Sequence, residues 1–171
     1  MTVGEIASTA GISPRTFYRY FPAKEDVLQV RIDRRSQALR VALTDRPAGE
    51  PPLRSLRIAL ENVLGAEDPR AVRRWIDVIR STPGVVNGVL GGIQLKSNGV
   101  MAEFLAERLG LPGDGVVPTM LAAAAGGVIQ AAQIYWYVNG GDLVTPLSQG
   151  LDVLERGVGT DARSWAGIDP P

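Results

Sequence analysis

Thr2, Glu5, Gly11, Ser13 and Pro14 fall at spacings that dictate two short helices and a tight corner at the start of the chain. Thr2-Val3-Gly4-Glu5 reads as a capping box, in which the Thr2 hydroxyl accepts the Glu5 amide N–H and the Glu5 carboxylate accepts the amide of Thr2. A helix therefore begins at once. It turns Ile6, Ala7 and Ala10 inward and stops at Gly11, where a left-handed turn needs no Cβ. Ile12 fills the corner, Ser13 caps a second helix and Pro14 takes its first position. Two short helices joined by a glycine corner make a helix-turn-helix.

In the second helix Phe17 and Phe21 lie four apart and face the core, leaving Arg15, Thr16, Tyr18, Arg19 and Tyr20 facing out. Arginine binds guanine edges or phosphates, and threonine and tyrosine hydroxyls donate to phosphate oxygens, so this face suits double-stranded DNA. Lys24 opens the next helix and adds an ammonium for one more phosphate. The formal net charge is zero, but residues 1–46 hold eight Lys/Arg against five Asp/Glu, a net +3, and the remainder ten against thirteen. The basic end is the end with the motif. Arg31, Arg34 and Arg35, further along, read as a solvated helix face.

The chain has no cysteine and no histidine. Disulfides, thiolate metal sites, cysteine nucleophiles and the commonest general base are therefore excluded, and no nucleophile-base pair or phosphate loop appears among the other residues. The expectation is a non-enzymatic protein with no metal or cofactor. No charged segment followed by an apolar run is visible at the start, so a cytoplasmic location is expected. The apolar run Leu121–Val138 is interrupted by Gln130 and Gln133, and reads as a buried helix of a soluble protein rather than a membrane span.

Helical periodicity and helix punctuation run through the whole sequence, and no alternating β-branched run interrupts them, so the fold class is all-α. Leu28, Ile32, Leu39 and Leu43 share one face of a connector helix from about Ala23 to Thr44, ended by Arg46-Pro47-Ala48-Gly49. A helix over 52–65 places Leu53, Leu56, Leu60, Val63 and Leu64 together. Asp68-Pro69 caps the next, which buries Val72, Trp75, Ile76 and Ile79. Thr82-Pro83 opens a segment to Leu109 whose glycines predict a break near Gly91-Gly92. Asp114 is expected to cap a helix ending at Asn139-Gly140-Gly141, and Asp142 to cap a last helix to about Val158. This gives a DNA-binding lobe with connector over 1–46, a larger helical lobe over 47–158 and a tail over 159–171.

The string Thr2, Ile6-Ala7, Ala10-Gly11, Ser13, Phe17-Tyr18, Tyr20-Phe21, Lys24-Glu25 and Leu28 resembles the tetracycline-repressor (TetR) family of bacterial regulators. The resemblance covers about 28 residues. It implies DNA contacts from Thr2, Arg15, Thr16, Tyr18, Tyr20 and Lys24, with Arg19 added on spacing. Ala23 departs from the Ser or Asn common before the lysine, so the connector's cap is expected to be weak. The family also places a helix before the capping box, and this chain is expected to start after it, as an N-terminally shortened member. The alternative is a dimeric small-molecule-binding protein of the same fold with no DNA role.

By the same resemblance the larger lobe holds a small effector and two chains pair through their last two long helices. Ala122, Ala125 and Gly126, with Leu143, Leu147, Leu151 and Leu154, are the candidate pairing residues, although they equally suit an intrachain core. Trp75, Ile79, Leu90, Ile93, Met101, Phe104, Tyr135 and Trp136 are candidates for an apolar pocket, or for plain core. Helix order resembles acyl-CoA-responsive members, which implies a fatty-acyl or other lipophilic effector. The expected function is a repressor that leaves a palindromic operator when that effector binds.

Overall fold

The computed structural model describes residues 2–23, 26–80 and 97–156, and within them the side chains of Ile6, Thr9, Leu28, Gln29, Val78, Ile79 and Arg80 lie outside the description. The described residues form helices α1 (Val3–Thr9), α2 (Pro14–Tyr20), α3 (Asp26–Thr44), α4 (Pro52–Gly65), α5 (Pro69–Arg80), α6 (residues 97–109), α7 (Val116–Asn139) and α8 (Val144–Arg156), with no strand among them. The chain is all-α. The predicted break at Gly91-Gly92 lies outside the described residues.

The punctuation explains most boundaries. Asp68 accepts the amide of Arg70 at 3.0 Å at the start of α5, and Asp142 accepts those of Val144 and Thr145 at 3.2 and 2.9 Å at the start of α8. One boundary differs from expectation. The N-cap of α7 is Gly115, with no side-chain cap, rather than Asp114. The connector α3 is described from Asp26, whose Oδ2 accepts the Ala23 amide at 2.7 Å. Ala23 has no side-chain oxygen to return the bond, so half of the capping box is present.

The main core gathers Leu39 and Leu43 of α3, Leu56, Leu60 and Leu64 of α4, Met101 and Leu105 of α6, Ala122, Ala125 and Ile129 of α7, and Leu147 and Leu151 of α8. A smaller cluster joins Val72 of α5, Trp136 of α7 and Leu143. Close helix approach depends on two glycines. A Cβ on Gly150 would stand 2.6 Å from Val128 Cγ1, and one on Gly126 2.5 Å from Asn98 Oδ1. A side chain at 150 would have to displace Val128, and one at 126 the end of the Asn98 side chain.

The connector is fastened to the larger lobe at both ends. Arg31 donates to Ala71 O at 2.9 Å and pairs with Glu67, which Arg35 also approaches at 3.9 Å. Arg31 and Arg35 thus face α5, not solvent as expected; Arg34 is exposed. At the other end Arg108 of α6 donates to Arg46 O and Pro47 O at 2.8 and 2.7 Å. Arg40 adds an exposed pair with Glu103 at 2.7 Å.

Glu50 closes the loop between α3 and α4. It accepts from Arg46 Nε and Nη2 at 2.8 and 2.6 Å and from the buried Ser55 hydroxyl at 2.6 Å. The Arg46 bonds, then the Ser55 bond, hold its carboxyl at about 2, below the ordinary 4.5. A carboxyl depressed in the folded state adds stability that is complete above its unfolded pKa and is lost as pH falls through the folded one. The gap in melting temperature between the parent and Glu50→Gln should therefore be steady from neutral pH to about 5 and narrow between about 4.5 and 2. Thermal denaturation across that range checks it; a gap that stays constant contradicts it.

Candidate nucleic-acid interface

The two helices at the start are built as their residues dictate. Thr2 N donates to Glu5 Oε2 at 2.6 Å and Glu5 N to Thr2 Oγ1 at 3.3 Å, which completes the capping box. Hydrogen bonds from the Thr2 amide, then the Thr2 hydroxyl, to the Glu5 carboxylate lower its pKa. Gly11 takes φ of +68°, and Ile12 N reaches Ala7 O at 2.9 Å, so the corner turns through the left-handed region that glycine favours. Ser13 Oγ then accepts the Thr16 amide at 3.1 Å, with Pro14 leading α2. Ala7 is fully buried, whereas Ala10 is exposed and Ile12 is only partly covered, so both do less to close the corner than expected.

Phe17 is 1% exposed and lies 5.3 Å from the half-buried Phe21 ring. This pair anchors α2 and turns the opposite face outward. Arg15, Tyr18, Arg19 and Tyr20 are all exposed. Tyr18 stands edge-on to Phe17 at 5.8 Å, and Arg19 stacks on Tyr20 at 4.9 Å while donating to its hydroxyl at 3.2 Å. Both tyrosine rings thus have one supported side; the Tyr20 hydroxyl accepts from Arg19 and keeps its own O–H to donate, and Tyr18 stands exposed. Thr16 differs from expectation: it is half-buried and its hydroxyl pairs with Ser13 Oγ at 3.0 Å. It belongs to the cap more than to the outer face. Thr2 is exposed, but its oxygen accepts the Glu5 amide and its hydroxyl also bonds the Glu5 carboxylate, so it serves the cap first. Lys24 lies outside the described residues.

The described members of the pocket candidates in the larger lobe lie in several places. Met101 is buried in the main core and Trp136 in the small cluster. Phe104 carries Arg108 over its ring at 5.1 Å, beside a groove lined by Arg40, Leu43, Thr44 and Glu103. Tyr135 is exposed, and Trp75 lies under the Arg31 guanidinium at 5.4 Å. The side chain of Ile79, and Leu90 and Ile93 entirely, lie outside the described residues.

The candidate pairing residues are likewise placed inside one protomer. Ala122, Ala125, Leu147 and Leu151 are core, Leu154 packs against that core, Leu143 joins Trp136, and Gly126 abuts Asn98. Ala122, Ala125, Leu143, Leu147 and Leu151 are buried within the protomer, whereas Gly126 and Leu154 keep part of their surface. The face of α7 left uncovered is different: Val116, Val117, Met120, Ile134, Tyr135 and Val138 are exposed, with the small Ala123, Ala124, Gly127 and Ala131 between them. Only 28% of the most apolar stretch of α7 is buried, although the helix is long and apolar enough to cross a membrane by length and composition. The helix expected to be buried is therefore buried on one side and open on the other. A sequence reading could not choose the side, because a helix apolar all round has no polar stripe to mark the outside.

A capped helix-turn-helix with an exposed basic and phenolic face, joined by a fastened connector to a helical lobe, defines the class. Residues 1–30 match the family described as bacterial regulatory proteins, tetR family, and residues 50–159 match the MftR C-terminal domain. The chain belongs to the TetR family. It is similar to the HTH-type transcriptional regulator TcmR of Streptomyces glaucescens, 30% identical over 147 residues, which cover 81% of this chain and 65% of that protein. The chain thus spans somewhat less than two thirds of that relative's length.

Proposed function

We propose that the chain is a ligand-responsive, DNA-binding regulator of transcription, a cytoplasmic homodimer that represses from a palindromic operator until a small lipophilic effector releases it. The observation that carries this reading is the outer face of α2, where Arg15, Tyr18, Arg19 and Tyr20 stand exposed on a helix fixed by the Ser13 cap and the Phe17 anchor. Such a face reads base edges with arginine and grips phosphates with arginine and phenol.

Two recognition helices must reach half-sites about 34 Å apart, which requires a dimer. The uncovered face of α7 supports one: large apolar residues flank a small-residue middle, and a Cβ on Gly127 would meet open space. Two copies of α7 can cross closely there. The connector supplies the coupling. Its Leu39 and Leu43 lie in the core of the effector lobe and its polar bonds to α5 and α6 hold both ends, so a shift in that lobe moves α3 and with it α2. Fatty acyl thioesters are among the effectors this reading admits.

On a duplex enriched from a random pool, Arg15→Ala and Tyr18→Ala should each weaken binding by about tenfold or more, since a direct contact contributes roughly 1–3 kcal/mol. Fluorescence anisotropy checks this, with circular dichroism to show the fold kept. Binding that both variants retain unchanged contradicts the assignment of α2.

A further inference from the structure

Arg15 and Arg19 stand one turn apart on α2 and both are exposed, yet they differ in what holds them. The Arg19 guanidinium lies 4.9 Å over the Tyr20 ring, and its Nη2 donates to the Tyr20 hydroxyl at 3.2 Å. Arg15 has no hydrogen bond, ion pair or ring contact among the described residues. It is therefore the uncommitted cation of the helix.

That difference separates two kinds of DNA contact. A guanine shows O6 and N7 side by side in the major groove, and an arginine matches them with two parallel N–H groups turned into the plane of the base. Arg15 keeps every donor, and the whole reach of its side chain, for such a contact. Arg19 has given one Nη2 hydrogen to Tyr20 and laid its flat face on the ring, so its direction follows Tyr20 and not a base. The pair presents a fixed positive centre beside a phenol O–H, because the Tyr20 oxygen accepts from Arg19 and keeps its own hydrogen to donate. A phosphate, whose oxygens accept without regard to sequence, suits that pair.

Position agrees with chemistry. In a helix-turn-helix the N-terminal residues of the second helix meet the base edges. Arg15 follows Pro14 in the first turn of α2, next to the Ser13 cap, whereas Arg19 and Tyr20 end the helix.

We propose that Arg15 sets the sequence specificity of the chain, by donating to O6 and N7 of one guanine in each half-site, while Arg19, paired with Tyr20, holds a backbone phosphate. This rests on the reading that α2 enters the major groove. A parent that enriches no duplex from a random pool overturns that reading; once a duplex is enriched, the assignment of the two arginines stands or falls by itself.

The parent, Arg15→Ala and Arg19→Ala are each put through the selection, with circular dichroism to show the fold kept. Affinity for the parent's duplex is then read by fluorescence anisotropy over a range of salt. Its guanines are replaced in turn, symmetrically in both half-sites, by 7-deazaguanine, which lacks the N7 acceptor and leaves the backbone unchanged. One such replacement should cost the parent at least about tenfold and Arg15→Ala almost nothing, and the motif enriched by Arg15→Ala should lose its guanine at that position. Arg19→Ala should weaken all duplexes by one common factor and keep the parent's motif. It should also flatten the slope of log affinity against log salt by about two, one phosphate for each protomer. A parent motif with no required guanine, a parent indifferent to every 7-deazaguanine, an Arg15→Ala protein that keeps the motif, or an Arg19→Ala protein with a changed motif or an unchanged salt slope would each overturn the assignment.

Discussion

A protein carrying Met120→Glu and Ile134→Glu should be a monomer at concentrations where the parent is a dimer, and should lose its operator. Met120 is 65% and Ile134 50% exposed in the protomer, so the new carboxylates cost the monomer's fold little. Across a two-fold interface the same substitutions bury four unpaired charges. At roughly 1 kcal/mol or more for each, the dissociation constant of the dimer should rise by at least about a thousandfold. Sedimentation velocity reads the mass and circular dichroism the fold. A variant that stays dimeric places the interface elsewhere.

The second large effect is expected from Phe17→Ala. Phe17 is 1% exposed and holds a seven-residue helix whose other ring contact is the half-buried Phe21. Phenylalanine to alanine in a core costs about 3–5 kcal/mol. Helices this short have little stability of their own, so the loss should melt α1 and α2 while the lobe from α4 onward stays folded. Trypsin should then cut after Arg15 and Arg19 at least about tenfold faster, with the dimer mass unchanged, since cleavage tracks the opened population. Tyr18→Ala separates the two roles: it should lose DNA affinity and keep protease protection. If Phe17→Ala keeps both, the anchor does not hold α2.

The features that could be read from the residues are those set by local chemistry. Thr2 with Glu5, Gly11, Ser13 with Pro14, Asp68 and Asp142 each act within four residues of themselves, and the structure forms every one of those bonds or turns. The outward positions of Arg15, Tyr18, Arg19 and Tyr20 follow from the Phe17 and Phe21 spacing in the same way. Thr16 has the spacing of an outer residue, but its hydroxyl meets the cap at Ser13, a local bond that competes with the outward spacing. The rest of what was not legible depends on a third element. Arg31 and Arg35 look like any charged face until α5 brings Glu67 beside them. Ala122 and Ala125 could suit either side of an apolar helix, and only the packing of α6 and α8 against α7 puts them inside.

The central claim is that two copies of α2, held by one dimer, read DNA. Its most direct test is selection of duplexes from a random pool by the full chain, followed by affinity measured against salt. The expected result is an enriched palindrome with half-sites about one helical turn apart, bound with an affinity that falls steeply and log-linearly as salt rises, roughly in proportion to the phosphates neutralised. No enrichment, or binding indifferent to salt, would contradict it.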